Sequence, residues 1–184
     1  MTEMTEKYII KQSGVIAYGD HEGELSVILV TSKDGRRWVL PKGHIEPHLS
    51  ANESAEKEAF EEGGIEGVVS KVAMGFYDYF KQSNKNSTIY RVSLFPMKIL
   101  RLLNDWPEAK FRTRQWMTIQ QAIDSVKEKD AQLLLEKFGE EMALETDTSK
   151  DILYVPKTST GRKFRKSKSS GTELFFIDEL KIEN

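Results

Sequence analysis

Along most of the chain, apolar residues alternate with polar ones or gather in short runs, and helical spacing replaces that pattern in three places. Residues 8–18 are rich in Ile, Val and Tyr and predict a strand ended by Gly19-Asp20. Residues 21–24 read as a turn, and 25–30 (LSVILV) as a buried strand. After the turn signal Lys33-Asp34-Gly35 comes a short apolar piece, Trp38-Val39-Leu40. Pro41 stops it, because proline brings no amide hydrogen to a ladder. Residues 68–80 and 88–100 predict two long strands joined by the polar 81–87 loop, and 111–117 a further strand.

The first helix begins near Ser50. Ser50 and Glu53 have capping-box spacing, in which each side chain satisfies a free amide at the helix start. Ala51, Ala55 and Ala59 then form a small-residue stripe able to sit close to a sheet. Gly63-Gly64 ends the helix, where a left-handed backbone is needed. Helical spacing returns over 119–126 and 131–138, extended by 140–144. The order of elements predicts an α/β (α+β) class.

The character changes after Glu145, which divides the chain into residues 1–145 and a C-terminal extension, 146–184. The extension has two apolar clusters, 152–155 and 174–177, around a basic run of Arg162, Lys163, Arg165, Lys166 and Lys168. Its composition suits a solvated, partly flexible tail. A basic arm toward a polyanion is the sharper alternative, with 174–177 adding an edge strand or packing on a second subunit.

Composition narrows the function classes. With 39% hydrophobic residues in 184, the chain can bury a core. A formal charge of −2 gives no global reason to expect a nucleic-acid or anionic-membrane partner. Having no cysteine excludes disulfides, thiolate zinc sites and cysteine nucleophiles. Residues 1–7 are polar, and no run approaches the ~20 apolar residues that span a bilayer. A cytoplasmic protein, monomer or homodimer, is expected.

The candidate chemistry lies at the end of the first helix. Residues three or four apart share a face, so Glu58 stands beside both Glu61 and Glu62. Like charges at that spacing repel, and carboxylates at a helix C-terminus oppose its dipole, at tenths of a kcal/mol to ~1 kcal/mol each. A divalent cation reverses both costs, and hard oxygen ligands suit Mg²⁺, with Mn²⁺ as a substitute. The plainer reading is a solvated acidic face with Lys57 as partner to Glu61. His44 and His48 have no spacing to a second His that would make a zinc site, and read as loop surface.

Context favours the metal. Pro41-Lys42-Gly43-His44-Ile45-Glu46-Pro47, followed by Lys57-Glu58-Ala59-Phe60-Glu61-Glu62-Gly63-Gly64-Ile65, resembles the Nudix box, G-x5-E-x7-R-E-U-x-E-E-x-G-U with U apolar. Gly43, Glu58, Glu61, Glu62, Gly64 and Ile65 fall at its spacing, while Leu49 stands at the first Glu position and Lys57 at the Arg position. Beyond the box, Asn104-Asp105-Trp106-Pro107-Glu108, Arg112-Thr113-Arg114-Gln115-Trp116 and the helix start at 119–123 resemble the diphosphoinositol and diadenosine polyphosphate phosphohydrolase branch.

The resemblance implies a Nudix fold, an α/β/α sandwich around a mixed, partly antiparallel sheet. It implies metal ligation by Glu58, Glu61, Glu62 and the Lys42 carbonyl, with Glu61 or Glu58 in the catalytic role. Lys33, Arg37, Lys42, Gly43, Lys11 and Arg112 become the candidates for binding substrate phosphates. The implied activity is metal-dependent cleavage of a phosphoanhydride bond in nucleoside, dinucleoside or diphosphoinositol polyphosphates. The alternatives are an ADP-sugar or RNA 5′-end pyrophosphohydrolase, which leaves an RNA 5′ end as the one nucleic-acid partner in view, or a catalytically weak Nudix-fold binding module.

Overall fold

Residues 9–82, 87–152, 162–169 and 172–179 are described by a computed structural model, with side chains over 9–81 and 88–145. Two compact units emerge, Met1–Ala143 and Leu144–Asn184.

The first unit is organised by two long strands, β1 (Ile9–His21) and β7 (Ser87–Leu102), which run parallel. One edge of β1 is shared by β2 (Glu24–Thr31) and, further toward its start, β4 (Lys42–His44), both antiparallel. β3 (Trp38–Val39) and β8 (Arg114–Thr118) pair with β2. On the far side of β7 lie β5 (Ile65–Val69) and β6 (Gly75–Gln82), both antiparallel to it. The sheet is therefore mixed, with eight strands.

Strand alternation sends one set of side chains to each face of this sheet. Val15, Ala17, Ile28, Phe95 and Met97 form one buried layer with Ala55 and Ala59 of α1 (Ala51–Gly63). Ile16, Val27, Leu29 and Leu94 face the other way, against Ala122 of α2 (Ile119–Ser125) and Ala131, Leu135 and Phe138 of α3 (Lys129–Ile152). Helices on both faces make the expected α/β/α sandwich. The alanine stripe packs on the sheet as its spacing implied, and both arms of the Ser50–Glu53 capping box are formed.

Four boundaries differ from expectation, one of them the last helix, α3, which starts at Lys129 and runs past 144 to Ile152. β1 continues through Gly19-Asp20 to His21, because its ladder with β2 runs on to a tight turn with positive φ at Glu22 (57°) and Gly23 (84°). Such a turn matches the twist of a hairpin. The single strand expected over 68–80 is instead split into β5 and β6, which pair with successive stretches of β7. The split lies at Pro96, whose carbonyl accepts from Ser70 N–H but which has no amide to give back. The last strand begins at Arg114 rather than 111, since Phe111 and Arg112 both bond back to the Glu108 carbonyl in a turn.

In the second unit, β9 (Arg162–Ser169) and β10 (Thr172–Glu179) form an antiparallel pair. The basic run thus lies on β9, and 174–177 on β10, its pairing partner. Most of the 152–155 cluster falls outside the described residues. No helix among the described residues is long and apolar enough to cross a membrane.

Candidate functional site

The last turns of α1 are held by the segment that follows β7. Trp106 Nε1 donates to the Glu62 carbonyl at 3.2 Å, and Glu108 N–H to the Glu61 carbonyl at 3.1 Å. Arg114 donates to the Gly63 carbonyl at 2.7 Å while its guanidinium lies 4.4 Å over the Trp106 ring. These groups satisfy the orphan carbonyls of the helix end and bring a cation to its negative pole. That offsets the local cost of an acidic C-terminus. Gly64 caps the helix at φ +59°, packed so closely under Trp106 and Arg114 that a Cβ would meet both within 3.0 Å.

Glu58 and Glu62 project from this helix toward β4. Glu58 rests on Gly43: a Cβ there would lie 1.9 Å from its Oε1 and 2.1 Å from its Cδ. Burial, with the charges of Glu62 and Glu61 adding to it, pushes the Glu58 carboxyl up to about 7. Glu62 is buried and accepts from Lys42 N–H at 3.0 Å and from Arg112. Burial raises its carboxyl too, against the opposing pull of Arg112.

Both carboxylates open into a cavity of about 540 Å³ that also takes in Lys33, Arg37, Lys42, Gly43 and Arg112. Gln12, His44, Tyr79, Lys81 and Glu108 complete much of its wall. A larger groove of about 640 Å³ runs along the outer face of α1 past Phe60 and Leu100, but neither Glu58 nor Glu62 reaches it. Chemistry, not volume, selects the smaller cavity.

Several side chains lie where the sequence did not place them. The expected convergence of three carboxylates is not formed. Glu61 turns to Lys57, whose Nζ lies 2.9 Å from both its oxygens, and is absent from the cavity wall. Among the described residues no group of three or more His, Asp or Glu is arranged to hold a metal. The cause is local: each of Glu61 and Glu62 has a basic partner within reach, and only Glu58 has none. Lys11 is exposed and lies outside the cavity, because strand alternation turns its neighbour Gln12 inward, where Gln12 accepts from Tyr79 OH at 2.8 Å. Arg112 is 9% exposed and fully engaged, by Glu108, Glu62 and the Thr31 carbonyl at 2.7 Å. It braces Glu62 more than it offers a free hand to a ligand. Arg37 lines the cavity while paired with Glu128 at 2.6 Å. Arg36, next to it in sequence, pairs at 3.7 Å with Asp34 of the cavity wall but does not itself line the cavity.

Sequence reasoning missed Gln12, Lys81, Glu108 and Glu46. For the first the available signal was phase: Gln12 shares its strand parity with Ile16, whose side chain faces the α2–α3 side of the sheet. Tyr79 and Tyr90 stack at 5.0 Å, with Lys42 Nζ 5.2 Å over the Tyr79 ring and Lys81 Nζ 5.0 Å over that of Tyr90. Burial lowers the Lys42 ammonium from its ordinary value, with Glu62 opposing.

In sequence and in fold the chain resembles known proteins. The sequence profile described as the NUDIX domain matches residues 11–138. Nudix hydrolase 12, mitochondrial, of Arabidopsis thaliana is 32% identical over 126 residues, covering 65% of this chain and 61% of that protein. Diphosphoinositol polyphosphate phosphohydrolase 3-alpha of Mus musculus is 31% identical over 105 residues, 55% of this chain and 60% of its own length. The chain thus spans about three-fifths of each of these relatives. Among solved structures, a C. elegans Ap4A hydrolase binary complex superposes with TM-score 0.53 at 20% identity, over 73% of this chain and 98% of its own. That likeness is one of fold. The match over 11–138, the box spacing and the sandwich lead to one conclusion: the chain belongs to the Nudix domain family.

Proposed function

We propose that the chain is a divalent-cation-dependent hydrolase of phosphoanhydride bonds, acting on nucleoside or dinucleoside polyphosphates or on diphosphoinositol polyphosphates. The observation that carries this reading is one cavity with Glu58 and Glu62 on one wall and Lys33, Arg37, Lys42 and Lys81 around them. Carboxylates suit a hard cation, and a ring of lysine and arginine suits a chain of phosphates.

The donor set fits Mg²⁺, with Mn²⁺ as substitute. Glu58, unlike Glu61 and Glu62, is in no ion pair among the described residues, and burial with the charges of Glu62 and Glu61 pushes its carboxyl up to about 7, so a cation beside it would be favoured. Glu58 and Glu62 would hold the ion, joined by the Lys42 carbonyl and by Glu61 once Lys57 releases it. Bound there, a divalent cation would supply charge neutralisation for the phosphates and make the attacking water more acidic. The chain's own residues do the rest. Lys33, Arg37 and Lys42 orient the phosphates, and Gly43 leaves space for the Glu58 carboxylate. Glu61 or Glu58 takes the proton as water oxygen bonds to phosphorus and the bridging P–O bond breaks toward the leaving phosphate.

The test is phosphate release with Mg²⁺ from dinucleoside polyphosphates, diphosphoinositol polyphosphates, ADP-ribose, oxidised dNTPs and triphosphorylated RNA. Release from the first two classes supports the reading. Preference for ADP-ribose or RNA overturns the substrate class, and no release from any overturns the activity. One observation favours a second reading, binding without turnover: Glu61 and Glu62 are both ion-paired. Saturable binding of a polyphosphate with no release would select it. The proposed compartment is the cytoplasm, and cell fractionation tests it against the organellar name of the Arabidopsis relative.

A further inference from the structure

The box positions that depart from the family pattern, Leu49 and Lys57, adjoin an arrangement the pattern does not contain. Lys57 Nζ lies 2.8 Å from Glu46 Oε1 as well as 2.9 Å from Glu61. Glu46 is three residues before Leu49, and the turn between them is closed by Leu49 N–H donating to the Glu46 carbonyl at 3.1 Å. That turn brings both positions to the same end of the loop. The backbone of Glu46 is itself pinned to α1, where its N–H donates to Oγ of the buried Ser54 at 3.1 Å. Ser54, Lys57 and Glu61 follow one another along one side of the helix, at spacings of three and four. Glu46 is thus held on that side at two points, by its amide and by its carboxylate. The Lys57 ammonium is raised above its ordinary range by these partners, Glu46 first and Glu61 second.

We propose that Glu46 is a positioning residue for the carboxylate site, taking the place of the glutamate missing at Leu49 and holding Lys57 so that Glu61 can be released to a cation. The inference rests on the function proposed above. The physical reason is a division of one ammonium between two carboxylates. Lys57 has three N–H donors, of which one serves Glu46 and the others reach Glu61. When Glu61 leaves, Glu46 keeps the ammonium in place beside the loop. Without Glu46, the whole of Lys57 goes to Glu61 and competes with the incoming cation. Glu46 touches neither substrate nor ion; it sets the strength of that competition.

The experiment measures Mn²⁺ binding to the full chain, without substrate, by electron paramagnetic resonance, with thermal unfolding of the metal-free protein in parallel. Binding by the unmodified chain tests the underlying function, and its absence overturns that reading independently of Glu46. Given binding, Glu46→Gln is expected to weaken Mn²⁺ affinity about fivefold, the scale of one partly exposed ion pair, at nearly unchanged unfolding temperature. The triple variant Glu46→Gln, Leu49→Glu, Lys57→Arg moves the carboxylate to the family position and is expected to restore affinity. Unchanged Mn²⁺ affinity in Glu46→Gln overturns the proposal. So does a lower unfolding temperature with native affinity, which is what a merely structural contact produces. Failure of the triple variant to regain affinity overturns the exchange between positions 46 and 49.

Discussion

Gly43→Ala separates the site's chemistry from the fold's stability. Gly43 lies in β4 outside the positive-φ region, so alanine suits its backbone and stabilises by about 0.4–1 kcal/mol through the unfolded chain. The three atoms nearest the new Cβ all belong to the flexible end of Glu58, the first at 1.9 Å, where ordinary contact begins near 3.4 Å. The carboxylate must retreat by about 1.5 Å, at a rotamer cost of about 0.5–1.5 kcal/mol. The two effects nearly cancel, and the unfolding temperature is expected to stay within about 4 °C of the parent. Displacement of a reacting group by ~1 Å costs about 100-fold in rate. Phosphate release is expected to fall by about that factor, with Mn²⁺ affinity falling alongside. Parent-like turnover in Gly43→Ala refutes the placement of Glu58 at the site. Global unfolding refutes the claim that the collision is confined to one side-chain end.

The remaining predictions concern the charges. Arg112→Ala strands the buried Glu62 carboxylate and is expected to cost about 3–5 kcal/mol by chemical denaturation; a cost under about 1 kcal/mol contradicts the brace. In protein stripped of divalent cations, the Glu58 carboxyl titrates near 7 rather than at its ordinary 4.5. The folded state then binds the proton more tightly than the unfolded state, so the penalty is full above pH 7 and gone below pH 4.5. Glu58→Gln is expected to raise metal-free stability at pH 8 by about 1–2 kcal/mol, after discounting a half-exposed group for solvent screening. Urea unfolding at pH 8 and pH 5 checks this, and an equal gain at both values contradicts it.

The sandwich and the helix carrying the acids were legible because period and punctuation agree: the alanine stripe, the capping box and Gly63-Gly64 are local signals. The break between β5 and β6 was not, because its cause is Pro96 on a different strand. Glu58 and Glu62 were legible from helical spacing, Gly43 and Lys42 from the resemblance to the box, and the four meet in one cavity. What spacing could not reveal is which carboxylate each base would take. Glu61 and Glu62 sit beside each other in the sequence, yet Lys57, one turn away on the same helix, takes the first, while Arg112, fifty residues on, takes the second. Glu46 escaped notice for the same reason, since its role follows from a loop turn and Ser54 rather than from a motif position. Lys11 was matched by resemblance, but strand alternation gives the inward place to Gln12.

Phosphate release measured with Mg²⁺ and again with a chelator, in the parent and in Glu58→Gln, tests the central claim most directly, with diadenosine and diphosphoinositol polyphosphates as substrates. The account predicts release only with the cation, reduced about 100-fold or more by Glu58→Gln, since even groups that merely support a metal ligand are worth about 10–100-fold. Release that persists in chelator, or that Glu58→Gln leaves at the parent rate, contradicts it.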